Sequence, residues 1–154
     1  ALLEGSVETL VGSLVAEHQR VGQIISAELP FRGARALVVS LYRERHGTEG
    51  EYLTLKSLMK RAARIEARRN QVIHSRYAAG TRPGSAFRVK TVAKEGKGLD
   101  FQQEEVDAAT MRSLVDELRA LITEFHHFYF EGIKAGRLVN NPILPTWGPQ
   151  AGQK

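Results

Sequence analysis

Apolar residues at alternating intervals of three and four run through residues 51–77, at Leu55, Leu58, Ala62, Ile65 and Val72, with Arg69 in the slot before the last. That interval keeps one stripe of an α-helix turned toward a neighbour, whereas a half-buried strand needs an interval of two. A stretch of this length is a helix of roughly seven turns, and it needs a packing surface along most of them. Three more stretches share the period: residues 4–29 with Val7, Leu10, Val11, Leu14 and Ile24, residues 31–46 with Leu37, Val38, Leu41 and Tyr42, and residues 108–132 with Leu114, Leu118, Leu121 and Phe125. The pattern predicts a mainly α protein, a four-helix up-and-down bundle spanning residues 1–135.

Local chemistry sets the boundaries. Pro30 disfavours helix at Leu29 and suits the first turn of the second helix, while His46-Gly47 supplies a stop. Asp107 is placed to cap the last helix. His18, on the apolar stripe of the first helix, reads as a core histidine. Between the third and fourth helices the period changes to two, at Phe87, Val89 and Thr91 and again at Leu99, Phe101 and Gln103, around the glycines of Lys94-Glu95-Gly96-Lys97-Gly98. This predicts a β-hairpin at about residues 85–104. Residues 136–154 form a Pro- and Gly-rich tail whose Leu144 and Trp147 are apolar enough to dock.

With 154 residues, 42% hydrophobic, the chain suffices for one compact domain. It has no cysteine, so disulfides and thiolate metal sites are excluded. No apolar run approaches the ~18 residues of a membrane span, and the expected setting is cytoplasmic. The adjacent pair His126-His127 points in directions about 100° apart and makes a poor chelate. No phosphate-binding glycine loop, carboxylate cluster or serine-nucleophile motif stands out, so neither a metal nor a cofactor is expected. A net charge of +5 with a pI near 9.7 favours an anionic partner, RNA first.

The chemistry-bearing stretch is Arg68-Arg69-Asn70-Gln71-Val72-Ile73-His74-Ser75. Asn70 and His74 are four apart and share a stripe; Arg69, five from His74, lies about 140° around the axis. The pair therefore meets either through the reach of the arginine or across a two-fold axis from a second copy. Arginine offers a rigid fork for phosphate oxygens, and histidine, with an ordinary pKa of ~6.5, can move protons near neutrality. Together they suit transfer of the 2′-hydroxyl proton, protonation of the leaving 5′-oxygen and stabilisation of the charged phosphorane. If the site cleaves RNA, the expected product is a 2′,3′-cyclic phosphate, made without metal. Asn70 can position the imidazole or the phosphate, and Glu66, three before Arg69, can orient the guanidinium. Arg64 and Arg68, with Lys60 and Arg61, form a basic strip leading to this end, although most such strips are solvated helix surface. Arg76, Lys90 and Lys94 are candidates to border the same cleft, and Arg88 and Lys97 lie nearby; lysine also serves simply to protect a strand edge.

The Arg69-Asn70-x3-His74 spacing near the end of a bundle helix resembles the motif of the HEPN superfamily, helical domains many of which are metal-independent RNases. The resemblance implies catalysis by Arg69 and His74 in a cleft at a homodimer interface. It also implies a toxin or defence role, controlled by an antitoxin or other regulatory protein. It covers the bundle and not the hairpin or tail. The competing expectation is a non-catalytic bundle binding RNA, a nucleotide or a protein partner, with Arg69 and His74 as structural hydrogen-bonders, since a fold does not dictate an activity.

Overall fold

In the computed structural model, described for residues 2–15, 19–94 and 98–139, the chain is mainly helical, with five α-helices and a three-stranded antiparallel sheet among the described residues. His18, Lys97, the side chain of Lys94 and the tail from residue 140 lie outside what is described. The chain divides into two compact units, residues 1–56 with 125–154, and residues 57–124; the division falls within the fourth and fifth helices.

The first unit contains α1 (Leu2–Val15), α2 (Gln19–Glu28) and α3 (Phe31–His46), with the start of α4 (Glu51–Ile73) and the end of α5 (Ala108–Lys134). The single helix expected over residues 4–29 is instead the pair α1 and α2, packed on each other. In one straight helix residues 12 and 22 would lie about 15 Å apart. Here a Cβ placed on Gly22 would stand only 2.7 Å from the Gly12 Cα. Glycine at both positions lets the two backbones touch, and Val7, Leu10, Val11 and Leu14 of α1 are at most 1% exposed. The buried hydroxyls of Ser13 and Ser26 donate to the carbonyls of Thr9 and Gly22 in their own helices, at 2.9 and 2.8 Å, and so carry no unpaired donor into the interior.

Pro30 precedes α3 in extended conformation, and Gly47, at φ +81°, closes it by donating its N–H to the Arg43 carbonyl. Tyr42 is buried against His46 and Phe128, with ring centroids 4.7 and 5.7 Å away, and burial pushes its phenol above the ordinary value. Past α5, Gly136 at φ +69° forms a Schellman cap: Arg137 N–H donates to the Gly132 carbonyl at 2.8 Å and Gly136 N–H to that of Ile133 at 2.9 Å. Arg137 then pairs with Glu51 at 2.8 Å.

The second unit holds the rest of α4, the strands β1 (Arg76–Ala79), β2 (Ser85–Lys94) and β3 (Gly98–Asp107), and α5 up to Glu124. Leu58, Ala62 and Ile65 are buried as the helical seam requires. The seam ends there: Arg69 is exposed, so its guanidinium does not occupy the buried slot that the spacing reserves. α4 also stops at Ile73 and not at Tyr77. The Tyr77 hydroxyl donates to the Val72 carbonyl at 2.8 Å and the Ser75 hydroxyl to that of Gln71, which satisfies carbonyls left open at the helix end. Released from the helix, residues 76–79 pair with β2, so the expected two-stranded hairpin is extended to three strands in the order β1-β2-β3. A third strand makes a small sheet far less marginal than two.

The turn between β1 and β2 folds around one carboxylate. Glu105 accepts from the Thr81 N–H and hydroxyl, both at 2.9 Å, from the Arg82 N–H at 3.3 Å and from the Ser85 hydroxyl at 2.5 Å. Gly80 is required for the close return of the chain, because a Cβ there would meet the Ser85 backbone at 2.7 Å. Asp107 caps α5 as its position suggests, accepting from the Thr110 N–H at 2.8 Å. Within this unit Arg61 clasps Glu124 through both nitrogens and Arg68 pairs with Glu117. The seven-residue interval is the same on both helices and runs in opposite directions, as antiparallel neighbours demand.

Candidate functional site

The end of α4 brings together part of the expected constellation. His74 is the first residue past the helix, yet its N–H still donates to the Asn70 carbonyl at 3.0 Å, which continues the helical turn and stacks the imidazole above the Asn70 side chain's position. Ala67, Asn70, Gln71 and His74, at the spacing i, i+3, i+4 and i+7, form one wall of an open groove of about 330 Å³, completed by Ser75 and by Lys90 of β2. Ala67 leaves room where a larger side chain would fill the groove. Lys90 reaches it because β2 alternates: Ala86, Arg88 and Lys90 share one face of the sheet, and Ala86 pairs with the buried Val106 on that face.

Arg69 does not line this groove. It is exposed, and its Nη1 lies 3.4 Å from the Asn70 Oδ1, a long contact that places the guanidinium beside the amide. Glu66 is half-buried one turn earlier on α4. The other basic candidates separate. Arg68 is committed to Glu117, and this hydrogen bond, with the charges of Arg68 and Arg64, holds the Glu117 carboxyl below its ordinary range. Arg61 does the same to Glu124. Arg88 pairs with Glu104, its direct partner across β2 and β3. Arg64, Arg76 and Lys90 are exposed. The basic strip of α4 is thus partly an interhelical clasp, and half of it is already neutralised.

The groove residues not singled out from the sequence, Ala67, Gln71 and Ser75, sit on the same stripe as His74 or directly after it, so helical spacing from the histidine points to them. The carboxylates Glu117 and Glu124 carry a matching signal, a seven-residue interval equal to that of Arg61 and Arg68.

Chemically, the groove offers an imidazole, two carboxamides, a hydroxyl and an ammonium around a space large enough for a phosphate with its sugar. These groups can donate to phosphate oxygens and exchange a proton with a neighbouring hydroxyl. The surrounding field is positive: residues 57–124 contain thirteen Lys and Arg against nine Asp and Glu, so nearly all of the net charge of +5 belongs to this unit. Among the described residues no group of three or more His, Cys, Asp or Glu is arranged to hold a metal ion, and no helix is long and apolar enough to cross a membrane.

In comparisons with protein-family models, curated proteins and solved structures, the chain has no significant match.

Proposed function

We propose that this chain is a metal-independent endoribonuclease of the HEPN kind, working as a homodimer. The observation that supports it most is the convergence of Asn70, His74 and Lys90 on one open groove in the positively charged unit. In this reading His74 moves the proton between the 2′-hydroxyl and the leaving 5′-oxygen. Asn70 orients the phosphate, and Lys90 with Arg64, Arg76 and Lys94 holds the RNA backbone. Arg69, which does not line the groove of its own chain, stabilises the phosphorane in the groove of the second copy, and Glu66 positions it. Arg68 contacts RNA only if it leaves Glu117. Such an enzyme suits a cytoplasmic toxin or defence component held in check by a partner protein.

The test is cleavage of single-stranded RNA in the presence of a chelator, with 2′,3′-cyclic phosphate ends as product. His74→Ala is expected to slow it by roughly 10²- to 10⁴-fold and Arg69→Ala by roughly 10²- to 10³-fold, with the fold retained. Mixing the two inactive variants restores activity if the site is shared between copies, because one of the two grooves then has both intact side chains. A parent protein that leaves RNA intact under these conditions sinks the reading.

The absence of Arg69 from the groove of one chain also favours a second reading, a non-catalytic domain that holds RNA, a nucleotide or a protein partner. Its expected result is RNA binding without cleavage.

A further inference from the structure

The register of the sheet divides its side chains between two faces. Arg88 and Lys90 lie on the face that includes buried Val106. The opposite face carries Arg76 of β1, Phe87, Val89 and Thr91 of β2, and Phe101, Gln103 and Glu105 of β3, the last with its carboxylate engaged by the Thr81 and Ser85 donors of the β1–β2 turn. Arg76, Val89 and Gln103 form one row across the three strands, and Thr91 with Phe101 forms the next. Phe101 is 65% exposed, a large aromatic ring presented to solvent from the edge strand β3, in a two-stranded row beyond the end of β1. Arg76 is exposed two residues past His74 and, unlike Arg61, Arg68, Arg82 and Arg88, has no ion pair among the described residues.

We infer that this second face of the sheet is a stacking platform for single-stranded RNA, with Phe101 receiving a base and Arg76, at the β1 edge where the chain leaves His74, a backbone phosphate of a strand that passes round that edge to the groove on the other side. For the identity of the ligand the inference rests on the ribonuclease reading. An unpaired base exposes a flat π-face that an exposed aromatic ring can cover whatever the sequence, while an arginine on the same face, here across β2 and one row away, meets a phosphate of the strand that carries the base. A duplex hides its bases and gains nothing from such a ring. A folded protein partner would be served by the apolar area of the face, but not by an unpaired guanidinium next to it in a unit that already carries surplus positive charge. The platform therefore selects unpaired segments of RNA for the groove.

The experiment measures binding of a short fluorescent single-stranded RNA by anisotropy, with every variant made in a His74→Ala background so that the RNA stays whole. Phe101→Ala is expected to weaken binding by roughly 5- to 100-fold and Phe101→Tyr to preserve it. Arg76→Gln is expected to lower the salt dependence of binding by about one counterion. Circular dichroism checks that each variant is folded. Unchanged affinity in Phe101→Ala overturns the platform, as does a parent that does not bind the RNA. Equal binding by Phe101→Leu overturns it too, since apolar contact without stacking would then suffice and a protein-docking face would be the better account. Cleavage by the protein with His74 intact is measured separately. Cleavage without dependence on Phe101 leaves the ribonuclease standing and removes the platform, whereas Phe101-dependent binding without cleavage does the reverse.

Discussion

Glu105 illustrates how much a single side chain organises. Its carboxylate gathers the Ser85 and Thr81 hydroxyls and the Thr81 and Arg82 N–H groups, and these donors, Ser85 first, hold its pKa down to about 2 from an ordinary 4.5. A group whose pKa is depressed on folding contributes stability that is fully present above the unfolded value and is lost as pH falls toward the folded one. Glu105 therefore supports the β1–β2 turn above about pH 4.5 and ceases to between there and about pH 2. Urea unfolding at a series of pH values should show a smaller loss of stability across this window in Glu105→Gln than in the parent, and lower stability for the variant at pH 7. Equal slopes in both proteins would mean that the turn is held by something else. No sequence pattern announces this clasp, because its partners are twenty or more residues away and meet only when β2 and β3 are in register.

Among the elements, the α1–α2 pair depends on the absence of side chains. Alanine is a better helix former than glycine by up to about 1 kcal/mol, so both Gly5→Ala and Gly22→Ala look favourable from propensity alone. The surroundings separate them. A Cβ at Gly5 meets nothing within 4 Å, whereas one at Gly22 would stand 2.7 Å from the Gly12 backbone. Thermal unfolding is expected to show Gly5→Ala stabilised by about 0.5–1 kcal/mol and Gly22→Ala destabilised by about 1–3 kcal/mol, the cost of forcing two packed helices apart. A stabilised Gly22→Ala would deny the close crossing. The clasp of α4 on α5 by Arg61–Glu124 and Arg68–Glu117 works differently, since both pairs are substantially exposed and contribute alignment more than energy.

At the scale of the whole molecule, the first unit gathers segments that are far apart in the chain, while the second is one continuous segment. The first unit joins residues 1–56 to residues after 124, and Phe128 of α5 reaches Tyr42 of α3 with 8% of its surface exposed. Phe128→Ala removes the ring contact and leaves a cavity, with an expected loss of about 3–5 kcal/mol in chemical unfolding and faster amide exchange in α3. A variant of unchanged stability would show that α5 is not part of this core. The second unit carries nearly all of the net charge and the groove, so the chemistry and the field that would attract a polyanion lie in the same segment, residues 57–124.

Local rules were sufficient wherever the deciding interaction spans a few residues. The helical period of α3, α4 and α5, the break at Pro30, the cap at Asp107 and the glycine stop at Gly47 can all be read in the chain, as can the shared stripe of Asn70 and His74. Tertiary structure decided what depends on contacts between distant segments. It folded the first apolar stretch into two helices around Gly12 and Gly22, drew residues 76–79 out of α4 into a third strand, and left Arg69 at the surface while tying Arg61 and Arg68 to α5. Periodicity reports which face of a segment is apolar, but the partner that covers that face, and the point where a strand competes successfully with another helical turn, are properties of the assembled chain.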